Sequence, residues 1–194
     1  MCGDSIINPQ WILTAAHCVD TASASGVTVR VGVNDLSTNQ GQSSRASNIY
    51  VHPSYTDATR GYDIALIKLS TPVTYDAYTQ PISLPSNSVE SILDVAGKTA
   101  VVSGWGKTEL GHVSKDLCEV TLPIVPNATR SGTGSSPGNT ICGTYADDKD
   151  SCNGDSGGPL AQQYSDHYYV LGIVSYGPEP VSYTHLRAHE TRED

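Results

Sequence analysis

The chain has 194 residues, 38% of them hydrophobic and 16% charged, which is enough apolar material for one compact domain or two tightly joined halves. Eleven basic against twenty acidic residues leave a net charge of −9, which speaks against nucleic acid or an anionic membrane as a partner, since both call for a basic footprint. No run approaches the roughly 18 consecutive apolar residues of a membrane-spanning helix.

Eighteen Gly and eleven Pro are scattered along the chain and imply frequent turns. The first chemical feature is Thr14-Ala15-Ala16-His17-Cys18, a histidine beside a cysteine in what reads as a short helical turn over residues 15–19. Val27, Val29, Val31 and Val33 then alternate with Thr28, Arg30 and Gly32, the period of a half-buried strand. Asn34-Asp35 and Asn39-Gln40-Gly41 read as turns. Asp63 stands immediately before Ile64-Ala65-Leu66-Ile67-Lys68-Leu69, an apolar run of strand length. Residues 81–97 are poor in strand pattern and include the turn cluster Pro85-Ser86-Asn87. Thr99-Ala100-Val101-Val102-Ser103-Gly104-Trp105-Gly106 and Tyr168-Tyr169-Val170-Leu171-Gly172-Ile173-Val174-Ser175 read as further strands, with a turn-rich stretch at 131–139 between them. No segment sustains a helical period. Closely spaced short strands predict an all-β fold, sandwich or barrel, and pattern alone does not choose between the two.

The decisive stretch is Asn153-Gly154-Asp155-Ser156-Gly157-Gly158-Pro159, a serine in a glycine-rich turn. A serine hydroxyl is a poor nucleophile unless a base takes its proton, and a carboxylate can hold that base in the right tautomer. Singly, His17, Asp63 and Ser156 each have a plainer explanation as a surface histidine, a turn residue and an ordinary glycine-turn serine. Together, as Ala-Ala-His-Cys, Asp-Ile-Ala-Leu and Gly-Asp-Ser-Gly-Gly-Pro in that order, they resemble the chymotrypsin/trypsin family of serine endopeptidases.

That resemblance implies two antiparallel β-barrels packed face to face, with the triad His17, Asp63 and Ser156 in the cleft between them. Residues 1–85 would form the first barrel and 86–180 the second, with 81–97 crossing from one to the other. It further implies an oxyanion hole from the backbone N–H groups of Gly154 and Ser156, where side-chain bulk at Gly154 would obstruct the substrate. Asp150 would lie at the base of the specificity pocket and receive Lys or Arg, with Ser151 and Gly177 also matching the trypsin-like pocket. Ser175 matches the residue that supports the triad aspartate. Asp155 matches the carboxylate that pairs with the α-amine released on zymogen activation. The implied protein is a secreted monomer without cofactor, acting on protein and peptide substrates with Arg or Lys before the cleaved bond, and open to protein inhibitors.

Five cysteines, Cys2, Cys18, Cys118, Cys142 and Cys152, make an odd count. The resemblance pairs Cys2 with Cys18. It puts the partner of Cys142 near Arg130 and that of Cys152 near Pro178, Glu179 and Pro180, none of them cysteine. It also implies a segment before Cys2 and a pocket wall, a final strand and a helix after Gly177. The sequence therefore reads as a fragment, inactive as it stands, of an active parent enzyme. Residues 181–194 read as translated adapter sequence, with a disordered native tail as the other reading. Asp4 stands where the family has the second glycine of Cys-Gly-Gly-Ser.

Asn127-Ala128-Thr129 fits a glycosylation acceptor. Asn34, Gln40 and Gln42 occupy the loop where some relatives hold acidic calcium ligands, and His52 and His112 lack Cys or acidic company, so no metal is expected. Gly154-Asp155-Ser156-Gly157-Gly158 also satisfies the nucleophile-elbow pattern of α/β-hydrolases, but that fold needs a helix after the serine, where Pro159 and the Tyr-rich 164–169 make one poor. The alternative from another class is a protease-like binding or regulatory protein without catalysis. A complete triad argues against it.

Overall fold

The computed structural model describes residues 1–93, 95, 97–107, 112–125, 142–143, 155–176 and 187–188. The first half supplies β1 (Ser5–Asn8), β2 (Trp11–Thr14), β3 (Thr28–Val31), β4 (Gln42–Val51) and β5 (Ala65–Leu69). They form one antiparallel sheet in the order β1-β2-β5-β4-β3. β1 and β2 make a hairpin with Ile6 opposite Ile12, and the Asn8 carboxamide oxygen accepts from the Gln10 N–H in the turn. One face of the sheet buries Ile12, Val29, Val31, Ala46, Ile67 and Leu69 as a single cluster. The alternation at Val29 and Val31 thus does what its period predicts.

The second sheet contains β6 (Thr99–Gly104), β7 (Cys118–Val125), β8 (Cys142–Gly143), β9 (Pro159–Tyr164), β10 (His167–Ile173) and β11 (Arg187–Ala188). Its order is β10-β9-β6-β7-β11, with β8 pairing with β7. Ala100, Val102, Val120, Leu122, Ile124 and Leu160 form its core. Ser165 and Asp166 both take positive φ in the β9–β10 turn, the backbone sense that suits a tight hairpin between right-twisted strands. The architecture is all-β, two antiparallel half-barrel sheets, as the resemblance implies.

The connection between the sheets touches both. Ile82 N–H donates to the Ile6 carbonyl, while Ser83 N–H donates to the Tyr168 carbonyl and Val170 N–H to that of Ser83. It also contains a helix that the sequence reading lacks, α1 (Asn87–Leu93). Two turns with one buried residue, Leu93, are too short for a hydrophobic period to register. Trp105 Nε1–H donates to the Asn34 carbonyl at 2.9 Å and ties the end of β6 to the loop after β3. Among the described residues, no helix is long and apolar enough to cross a membrane.

Leu69 is wholly buried in the first core, whereas Leu84 is 58% exposed. In urea denaturation, Leu69→Ala is expected to cost about 2–5 kcal/mol, and Leu84→Ala no more than about 0.5 kcal/mol.

Candidate active site

The pairing of β2 with β5 sets Thr14 opposite Ala65. In an antiparallel pair the residues leaving one strand lie beside those entering the other. His17 comes just after Thr14 and Asp63 just before Ala65, so the register itself brings them together. Ala15 and Ala16, both fully buried, start a 3₁₀ turn over Ala16–Cys18 that swings the His17 ring out of the sheet. The Cys2–Cys18 disulfide holds the far side of this turn, with Cα atoms 6.2 Å apart, which is the pairing the resemblance implies.

Asp63 receives three hydrogen bonds. Its Oδ1 accepts from the His17 backbone N–H at 2.8 Å, and its Oδ2 lies 2.7 Å from His17 Nδ1 and 2.5 Å from the donating Ser175 Oγ. Ser175 follows β10 of the second sheet, so this carboxylate joins the two halves. Burial is the largest single influence on Asp63 and opposes its ionisation, but the bonds from His17 and Ser175 together outweigh it and hold the carboxyl below its ordinary range. For His17 the Asp63 hydrogen bond dominates and raises its pKa, against a smaller opposing effect of burial. With Nδ1–H committed to Asp63, the neutral ring keeps its free lone pair on Nε2, 3.8 Å from Cys18 Sγ.

The Ser156 turn is packed against the first sheet. Gly3 N–H donates to the Ser156 carbonyl at 2.7 Å, and Thr14 Oγ1 donates to the Gly3 carbonyl at 2.9 Å. Gly157 has φ +84°, and a Cβ there would run into the Gly3 carbonyl and Thr14 Oγ1. A Cβ on Gly3 would lie 2.8 Å from the Gly158 Cα, so the close approach needs glycine on both sides. Gly157 N–H donates to the Val174 carbonyl and Val174 N–H to that of Gly158. The chain then enters strand β9 rather than a helix, which removes the α/β-hydrolase reading. The Cys18 sulfur lies 3.7 Å from the Ser156 carbonyl oxygen, so His17 and Ser156 sit on either side of one disulfide. Among the described residues, no hydrogen bond joins Ser156 Oγ to His17 Nε2.

Asp155 is 1% exposed, and one of its carboxylate oxygens accepts from the Gly106 N–H at 2.8 Å. A Cβ on Gly104 or Gly106 would collide with that carboxylate, so the end of β6 is shaped around it. The sequence reading did not single out Gly3, Thr14, Gly104 or Gly106 for these contacts. The only sequence signals were the departure at Asp4 and two glycines flanking Trp105. Gly154, Asp150, Ser151, Gly177 and Cys152 lie outside the described residues, as do Asn127-Ala128-Thr129 and the side chain of Cys142. Cys118 is buried with a free thiol.

A model of the trypsin family matches residues 1–188. The chain belongs to the trypsin family of serine proteases. Serine proteinase stubble of Drosophila melanogaster is 38% identical over 190 residues, which cover 91% of this chain and 24% of that protein. CLIP domain-containing serine protease B4 of Anopheles gambiae is 36% identical over 199 residues, covering 92% of this chain and 55% of that protein. The chain thus spans between a quarter and about half the length of these relatives.

Two pH effects follow. Asp63 has a lowered pKa, so its contribution to stability is present above the ordinary value of 3.8 and lost as the pH falls through its folded value. The stability gap between wild type and Asp63→Asn should therefore close in denaturant melts as the pH drops below about 4. At neutral pH the same substitution should lower the His17 pKa, read from its imidazole NMR resonances. Asp4 shows the opposite sign, because burial pushes its carboxyl up to about 7. Between 3.8 and about 7 the unfolded chain gives up a proton that the folded chain keeps, so stability falls as the pH rises through that window. Asp4 keeps part of its surface in water, which makes the effect smaller than a fully enclosed carboxyl would give. Asp4→Asn should raise the melting temperature at pH 8 and leave it nearly unchanged at pH 4.

Proposed function

We propose that this chain is the catalytic domain of a secreted serine endopeptidase that cleaves after Arg or Lys, with Ser156 as nucleophile, His17 as general base and acid, and Asp63 as the residue that orients His17. The observation that carries this reading is the Asp63 cradle. A carboxylate that takes both the backbone N–H and Nδ1 of one histidine fixes its tautomer and leaves Nε2 to receive a proton from a serine hydroxyl.

In the proposed reaction Ser156 Oγ attacks the substrate carbonyl carbon and its proton passes to His17 Nε2. The charge that develops on the carbonyl oxygen is met by the backbone N–H groups of Ser156 and Gly154. His17 then protonates the departing amine and the peptide bond breaks, leaving an acyl group on Ser156. Water attacks that ester by the same route in reverse, with His17 taking its proton. Raising the His17 pKa while Asp63 stays ionised favours the imidazolium at the moment it forms.

The preference for Arg or Lys rests on Asp150 with Ser151 and Gly177. A carboxylate in a narrow, partly dry pocket rejects apolar side chains because its charge would be left without a partner. Asp155, already accepting from Gly106, is the residue we assign to the activating α-amine. The domain division at residue 85 belongs to the same proposal, as do protein inhibitors and the monomeric state.

A fluorophosphonate probe tests the nucleophile, applied to the parent protein, of which this sequence reads as an inactive fragment, before and after activating cleavage. The expected adduct maps to Ser156 and is lost in Ser156→Ala. Asp63→Asn should lower kcat by about 10⁴, the value known for this family's triad; a fall below tenfold contradicts its role. Amide substrates with Arg or Lys before the cleaved bond should outpace those with Tyr or Leu. A preference for Tyr or Leu would remove Asp150 from the pocket base.

A further inference from the structure

We propose that reduction of the Cys2–Cys18 disulfide turns these two sulfurs and His17 Nε2 into a binding site for zinc or a similar divalent transition-metal ion. The three ligand atoms already lie within 4.8 Å of one another. His17 Nε2 is 3.8 Å from Cys18 Sγ. In a tetrahedral site with Zn–S of about 2.3 Å and Zn–N of about 2.0–2.1 Å, a nitrogen and a sulfur on one ion stand about 3.6 Å apart. Two thiolates of one site stand about 3.8 Å apart, a separation that Cα atoms 6.2 Å apart reach by side-chain rotation.

The ring is also in the state a metal wants. Metal-bound histidines commonly donate the other ring N–H to a carboxylate, which fixes the tautomer and raises the basicity of the ligating nitrogen. Asp63 Oδ2 stands 2.7 Å from His17 Nδ1 in that role. The His17 side chain is 28% exposed, which gives the ion a route in. Three protein ligands leave a fourth position for water.

The chemistry balances with a dithiol as reductant. The dithiol closes to its own disulfide, and its two electrons and two protons pass to the Cys2–Cys18 bond, leaving two thiols. Each thiol releases its proton to solvent as the ion binds, and His17 binds as the neutral ring. The consequence for activity rests on the proposed role of His17: a bound ion occupies the lone pair that would take the serine proton. Reduction in the presence of metal would then silence the enzyme at its base, without a separate inhibitor. The binding site itself does not depend on that reading.

Co²⁺ is the probe, because thiolate ligation gives it a charge-transfer band in the near ultraviolet. The 194-residue chain would be titrated before and after reduction with a phosphine, which does not compete for the ion as a dithiol would. The expected result is a saturable band in the reduced chain, absent from the oxidised one and displaced by Zn²⁺. Cys2→Ser and Cys18→Ser should each lose it, whereas Asp63→Asn should keep it with affinity weakened about 10–100-fold. Cys118, Cys142 and Cys152 remain in every variant and serve as the internal control. An undiminished band in Cys2→Ser or in His17→Ala would overturn the proposal, as would equal binding by the oxidised chain. So would a reduced chain that loses its near-ultraviolet circular dichroism and does not regain it when metal is added. None of these readouts uses catalysis, so a failure of the peptidase reading would leave them intact.

Discussion

The Asp63 carboxylate is the point on which the site depends. It accepts the backbone and ring N–H groups of His17 from the first half of the chain and the hydroxyl of Ser175 from the second. Burial works against its charge, and the bonds from His17 and Ser175 together outweigh it and favour the ionised form. A buried carboxylate held in that way is costly to leave half-partnered, so each bond enforces the position of the other two. The cost of desolvating Asp63 is thereby converted into orientation of the His17 ring and docking of the two sheets.

A second constraint is steric and sits at the same seam. Gly3, Gly157 and Gly158 allow backbone to approach backbone where the Ser156 turn meets the β1 entrance, and the Gly3 carbonyl and N–H are both used there. Gly104 and Gly106 leave room for the buried Asp155. The serine turn is therefore gripped from two sides, by glycine contacts against the first sheet and by a buried carboxylate against the end of β6. The Cys2–Cys18 disulfide closes the arrangement, since Cys2 leads into Gly3 and Cys18 follows His17. One covalent bond thus fixes both approaches to the site.

The proposed triad residues could be singled out because they stand in short, distinctive strings, and the strands at Val29–Val31, Ala65–Leu69 and Thr99–Gly104 were legible because their apolar residues alternate or run on. Strand β4 was not legible. Its fully buried positions are Ser44 and Ala46, too small or too polar to mark a buried face, and the larger Ile49 and Val51 that pack on the same core come only after a register shift. The contact between His17 and Asp63 depends on the register of β2 against β5, which no local pattern displays. The raised pKa of Asp4 was invisible as well: the sequence shows a carboxylate in place of a glycine, but only packing shows that water is partly withheld from it. What reads well from sequence is local chemistry; what does not is burial and register.

The central claim is that Ser156, His17 and Asp63 act as one nucleophilic unit beneath a pocket for basic side chains. The most direct measurement is rapid mixing of the activated parent protein with a guanidinobenzoate ester of nitrophenol, an arginine-like acyl donor. The account predicts a burst of about one equivalent of nitrophenol, followed by slow turnover, with the acyl group recovered on the peptide that contains Ser156. Slow release with no burst, or a burst unchanged in Ser156→Ala, would contradict it.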